Sequence, residues 1–168
     1  MNFNLKDKKI LSLFGCLFSI MLIISICFFP FPYQRALIEQ MKDSNQSLAN
    51  NFIPFKTIYT IITEAFKYKL FGNIAYQIFG NILLFAPLGF SINFYLKNNK
   101  KLLKSFICVV FISISIEALQ GYLNHLLGVN YRSVDIDDLI LNTIGGILGY
   151  IAASYIQDLY IKNRNQKI

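Results

Sequence analysis

ILSLFGCLFSIMLIISICFF, residues 10–29, is a run of twenty positions without a single charge. At 1.5 Å per residue, a helix of that length crosses the ~30 Å of hydrocarbon in a bilayer. Lys6, Lys8 and Lys9 precede it, which is also how a secretory signal begins. The apolar run is longer than such a signal needs, however. It ends in Phe28-Phe29-Pro30, without the small residues of a cleavage site. The stretch reads as an uncleaved first membrane span whose N-terminus lies in the cytoplasm.

Beyond it, Pro30 and Pro32 stop the helix, and a polar segment runs to about Asn51. Its middle, Lys42-Asp43-Ser44-Asn45-Gln46-Ser47, has the composition of an exposed loop. Residues 52–66, FIPFKTIYTIITEAF, are apolar again but too short and interrupted to span, so an interfacial or partly re-entrant helix is expected. Three further spans follow at about 74–96, 105–127 and 139–161, the first of them kinked at Pro87 and Gly89. Between two of them, residues 97–104 (KNNKKLLK) make a tight basic turn. The expected fold is an all-α polytopic helix bundle of about four transmembrane helices with one interfacial helix, a single membrane domain over residues 1–168. An even number of spans and basic clusters beside their ends place both termini in the cytoplasm of a multi-pass cell-membrane protein. Residues 30–73 and 128–138 are then non-cytoplasmic. The longer of these still carries Arg35, Lys42, Lys56, Lys67 and Lys69, so charge biases the topology without partitioning it cleanly.

Composition agrees. Of the 168 residues 55% are hydrophobic and only 15% charged, with a mean hydropathy of +0.47; a soluble domain carries roughly 25% charged residues. The net charge of +7 does not point to nucleic acid. Ten of the sixteen basic residues sit in three clusters (Lys6, Lys8, Lys9; Lys97, Lys100, Lys101, Lys104; Lys162, Arg164, Lys167), each flanking an apolar stretch, and no nucleic-acid-binding motif accompanies them. Cys16, Cys27 and Cys108 lie in apolar stretches without metal-ligand spacing, and the single His125 cannot build a zinc site. No metal and no cofactor is expected.

Glu117 is the most informative residue. It falls near the middle of the third span, where a charge costs ~2.5–3.5 kcal/mol on insertion scales and is usually functional or paired. Gln120 and Asn124 follow at i+3 and i+7 on the same helix face, which must look inward. Asn81 lies about two turns into the second span, with Gln77 one turn above it, and Asn142 lies near the outer end of the fourth. A convergent polar site opening to the non-cytoplasmic side accounts for these groups; separate interhelical hydrogen bonds are the plainer alternative. The loop before the fourth span reads Arg132-Ser133-Val134-Asp135-Ile136-Asp137-Asp138. Carboxylates at a helix N-terminus are favoured by the unpaired N–H groups there, which explains Asp137 and Asp138 on their own. Arg132 suits either a pair with Glu117 or an anionic ligand such as a phosphate. Gly145, Gly149 and Ala153, spaced by four, form a ridge for close helix packing, within the bundle or in a homo-oligomer.

Three ordered blocks carry a resemblance. Residues 51–58 (NFIPFKTI) and 80–90 (GNILLFAPLGF) are similar to two signature blocks of the VanZ-like family. The third is Glu117-x-x-Gln120 followed by Arg132-x-x-Asp135-x-Asp137-Asp138-x-x-x-Asn142-Thr143-x-Gly145. The resemblance covers about residues 51–150 and leaves out the first helix. It implies a small bacterial multi-helix membrane protein with a cell-envelope role. The family's namesake is associated with low-level resistance to teicoplanin, without a settled mechanism. Asn81, Glu117, Gln120, Arg132, Asp135, Asp138 and Asn142, found above from the residues, also fall on the family's polar motif positions.

These readings favour an accessory or binding protein whose partners are membrane lipids, a lipid-linked envelope intermediate or a lipoglycopeptide, with Arg132 taking a phosphate. The alternative is a membrane-embedded enzyme acting on an envelope lipid through Glu117 and the Asp135/Asp137/Asp138 loop. No nucleophile–base pair or cofactor motif supports it, so catalysis stays open. A scaffold using the glycine ridge comes third, and a transporter after it, since four short helices leave little room for alternating access.

Overall fold

The computed structural model describes residues 5–43, 48–96 and 101–165. Residues 44–47 of the expected loop and 97–100 of the expected basic turn lie outside the described residues. The described chain forms α1 (Leu5–Phe28), α2 (Arg35–Asp43), α3 (Lys56–Tyr68), α4 (Phe71–Tyr95), α5 (Lys101–Leu127) and α6 (Ile136–Asn165). Four of these, α1, α4, α5 and α6, are long and apolar enough to cross a membrane, and the protein is a multi-pass membrane protein. Between 17% and 33% of each span's most apolar window is buried inside the bundle, so most of its apolar surface faces outward. Phe14 and Phe18 on α1, Phe111 on α5 and Ile151 on α6 are such residues. In water this arrangement would be untenable; in hydrocarbon it is the expected one.

The central pair is α4 and α6, which run parallel. Asn81 meets Asp138 at one end, while Asn93 meets Tyr150 and Ser154 at the other. Small residues make the contact. A Cβ at Gly145 or Gly149 would overlap the backbone carbonyl of Ile82 or Ala86, and one at Gly89 would overlap that of Gly146. The ridge read from the sequence is therefore spent on packing within the chain. Gly146 takes the side chain of Val109 from α5, on the neighbouring side of α6. α1 packs antiparallel on α4, with the Ser12 hydroxyl donating to the Ser91 carbonyl at 2.5 Å. The apolar core is Ile23 and Phe28 of α1, Phe85, Leu88 and Ile92 of α4, and Val109 and Ile116 of α5. Polar rungs cross it. Asn93 Nδ2 donates to the Ser154 hydroxyl at 2.6 Å, Gln157 Nε2 to Asn93 Oδ1 at 2.7 Å, and Asn142 Nδ2 to the Ser113 hydroxyl at 2.9 Å. Without water, polar groups at this depth have only each other to bond.

Three details differ from expectation. α4 stays helical through Pro87 and Gly89, and it also holds a π-helical stretch upstream, at Ile74–Phe79. The polar segment after α1 contains a nine-residue helix, α2, in which Arg35 and Glu39 pair at 3.1 Å one turn apart. The last span begins at Ile136, not 139, because Asp135 serves as its cap. α3 occupies the expected amphipathic stretch: Ile61 and Ala65 are buried, while Tyr59, Ile62 and Phe66 are exposed.

Candidate functional site

The polar groups gather where the chain enters α6. Asp135 precedes the helix, and its Oδ1 accepts the N–H of Asp137 at 2.8 Å, the bond an N-cap residue makes to its own first turn. The same carboxylate accepts Asn51 Nδ2 at 2.9 Å and the Thr57 hydroxyl at 2.6 Å. The backbone N–H of Asp135 donates to Glu117 Oε2 at 2.9 Å, tying the loop to α5. Residues 48–51 run alongside 130–136. Asn51 N–H donates to Val134 carbonyl and Ile136 N–H to Asn51 carbonyl, both at 2.9 Å, an isolated parallel β-bridge among the described residues.

Asp137 is fully enclosed and serves a different helix. Its carboxylate accepts the backbone N–H of Phe55 and that of Ile58, the latter at 3.1 Å. The start of α3 needs this. Phe55 precedes the helix with φ of 66° and offers no capping side chain, so its own N–H and that of Ile58 are satisfied from α6, while Lys56 N–H turns back to the Ile53 carbonyl. Asp138 turns the other way and accepts Asn81 Nδ2 from α4.

The remaining candidates surround this core. Asn124 Nδ2 donates to the Arg132 carbonyl at 2.7 Å and holds the loop against α5. Gln120 Nε2 donates to the Cys27 carbonyl at 3.2 Å. Arg132 is half-buried, and its Nη2 donates to the carbonyls of Phe29, at 2.5 Å, and Ile26, at 3.5 Å. It thereby caps the last turn of α1, where carbonyls otherwise lack partners. The pair with Glu117 allowed by the sequence does not form; the ion pair among the described residues is Arg35–Glu39. Tyr131 packs edge-on against Phe31 at 5.4 Å, and burial pushes its phenol above the ordinary value.

The structure thus links Asn81, Glu117, Asp135 and Asp138 through α4, α5 and the loop, with Gln120, Arg132 and Asn142 around them. Gln77 does not join. It is exposed within the π-helical stretch, where the wider turn breaks the i+4 register with Asn81. Sequence reasoning missed Asn51, Thr57 and Ser113 as partners. Helical periodicity carries no signal for Asn51, whose contact depends on a loop returning 84 residues later. Ser113 had a signal, since it lies one turn from Glu117 on the same face.

Several oxygens have no donor. Asn142 Oδ1, Gln120 Oε1 and the Tyr131 hydroxyl are buried without a hydrogen-bond partner among the described residues. Among the described residues, no three His, Cys, Asp or Glu side chains are grouped to hold a metal ion. A family model described as VanZ/LLP1 matches residues 16–157 of the chain. No curated protein and no solved structure matches it.

Proposed function

The chain belongs to the VanZ/LLP1 family, and from that premise we propose that it is an accessory binding protein of the cell envelope whose polar site takes the head group of an anionic lipid or lipid-linked intermediate. The observation that carries this reading is the state of Arg132. Its Nη2 is anchored to two carbonyls of α1, and the rest of a half-exposed guanidinium is left with spare donors. A guanidinium held in this way is a planar fork suited to phosphate or carboxylate. The location supports it too. Basic residues at Lys9, Lys101 and Lys162 mark the opposite ends of the spans, so the positive-inside rule puts both termini in the cytoplasm and the site outside. Beside the site, the exposed Tyr59 and Phe66 of α3 suit the head-group layer of a membrane.

A contribution to glycopeptide resistance follows from the same site. Teicoplanin carries a fatty-acyl chain, so a protein that occupies or rearranges lipid-linked targets at the outer surface would lower its effective access. The enzymatic alternative rests on Glu117, whose Oε1 accepts no hydrogen bond among the described residues. Its other proposed members fit less well, because Asp135 and Asp137 are committed to Asn51, Thr57 and backbone N–H groups.

The test is teicoplanin and vancomycin susceptibility of a sensitive Gram-positive host expressing wild type, Glu117→Gln or Arg132→Ala at matched membrane levels, paired with phosphatidylglycerol binding by the purified proteins. Protection selective for teicoplanin and lost in both variants is expected, with about tenfold weaker lipid binding by Arg132→Ala. Unchanged lipid binding by Arg132→Ala removes the head-group reading. No protection by wild type removes resistance.

A further inference from the structure

We propose that the polar site contains a second pocket, for a primary ammonium group, so that the head group it accepts carries a free amine as well as a phosphate. The inference rests on the reading of Arg132 as the phosphate-binding group and adds the other half of the ligand. It comes from counting donors against acceptors. Asn142 and Gln120 are 3% and 7% exposed, and each amide gives one N–H, to Ser113 and to the Cys27 carbonyl. What each leaves is an oxygen with no donor. Glu117 uses Oε2 for the Asp135 N–H, and Asp138 uses Oδ1 for Asn81; the second oxygen of each carboxylate accepts nothing among the described residues. Among the described residues, four acceptor oxygens without a donor remain on two adjacent helices.

Their placement brings them to one interface between α5 and α6. Asn142 lies one turn beyond Asp138 on α6, and Ser113 lies one turn before Glu117 on α5. The hydrogen bond between Asn142 and Ser113 clamps that rung, so Asp138 and Glu117 face the same interface at the next. Glu117 Oε2 holds the N–H of Asp135, three residues before Asp138, which keeps the two carboxylates at one end of that interface. Both are half-buried. The chemical complement is a cation that only donates. A primary ammonium has three N–H donors and no acceptor, whereas a quaternary one has no N–H to give. A bare metal ion is a poorer match, since among the described residues no third acidic, histidine or cysteine ligand joins the two carboxylates. Gln120 and Arg132 both bond carbonyls at the end of α1, Cys27 for one and Ile26 and Phe29 for the other, so the two subsites adjoin.

The experiment measures binding of phosphatidylethanolamine, phosphatidylcholine and phosphatidylglycerol to the full-length protein in detergent by native mass spectrometry. Wild type is expected to prefer phosphatidylethanolamine to phosphatidylcholine by about tenfold. Glu117→Gln and Asp138→Asn, which keep the acceptors used by Asp135 and Asn81, are expected to bind those two lipids alike. Arg132→Ala is expected to weaken all three. Equal binding of phosphatidylethanolamine and phosphatidylcholine by wild type, with phosphatidylglycerol still bound, overturns the ammonium pocket and leaves the Arg132 reading standing. Failure to bind any of the three lipids overturns both.

Discussion

Asp137 occupies the first turn of one helix and caps another that lies 82 residues earlier at its start. From the sequence, a carboxylate just inside a helix is favourable for that helix, and nothing more follows. The structure gives its oxygens to Phe55 and Ile58, so the cost of losing it falls on α3. Asp137→Ala strands two backbone N–H groups, each worth roughly 1–3 kcal/mol when left buried and unpaired. The expected outcome is a lower midpoint of thermal unfolding, with faster hydrogen exchange across residues 56–68 and little change in α5. Uniform exchange across the protein would mean that the cap is not local. Asp135 is the N-cap of α6, a place that the sequence, with the span begun at about 139, assigned to Asp137 and Asp138 instead. Its bonds to Asn51 and Thr57 were invisible, since no local pattern says which distant amide will arrive.

At the level of elements, the small residues of α6 decide which helix becomes its neighbour. Gly145 and Gly149 let the backbone of α4 approach until its carbonyls occupy the space of a side chain. Gly149→Leu is therefore expected to abolish the native pairing. Even Gly149→Ala should cost about 1–3 kcal/mol, the usual toll of overpacking, because the atom it meets is backbone and cannot rotate away. Gly72→Ala and Gly80→Ala meet open space and should leave stability within about 0.5 kcal/mol of wild type. Size-exclusion profiles and unfolding in one detergent separate these groups, and a well-folded Gly149→Leu protein would refute the account. The spacing of four residues announced a contact ridge. It did not announce the partner, because a ridge fits a second subunit as well as a second helix. The π-helical stretch in α4 had no signal of its own, and it moved Gln77 out of the face that Asn81 shares.

For the whole molecule, orientation is the property on which the extracellular reading depends. Lys69, at the end of α3, and Lys162, near the end of α6, are exposed and lie outside the apolar middle of any span. In a background with Cys16, Cys27 and Cys108 replaced, an impermeant maleimide added to intact cells should label Lys69→Cys, with Lys162→Cys labelled only after permeabilisation. The reverse pattern would turn the Asp135 loop to the cytoplasm and end the case for a site at the outer leaflet. Four spans were determined by the sequence alone, since length and hydropathy are summed along one helix and need no partner. The membership of Glu117, Asn81 and Asn142 in inward-facing polar surfaces was determined in the same way, by the cost of showing such groups to lipid. What tertiary structure decided is how these groups are shared. Asp135 and Asp137 went to holding the loop and α3, and Arg132 went to the end of α1. The free oxygens of Glu117, Asp138, Gln120 and Asn142 were left over. The physical reason is that a helix face sets which way a side chain points, while a hydrogen bond depends on which donor the rest of the chain brings within reach.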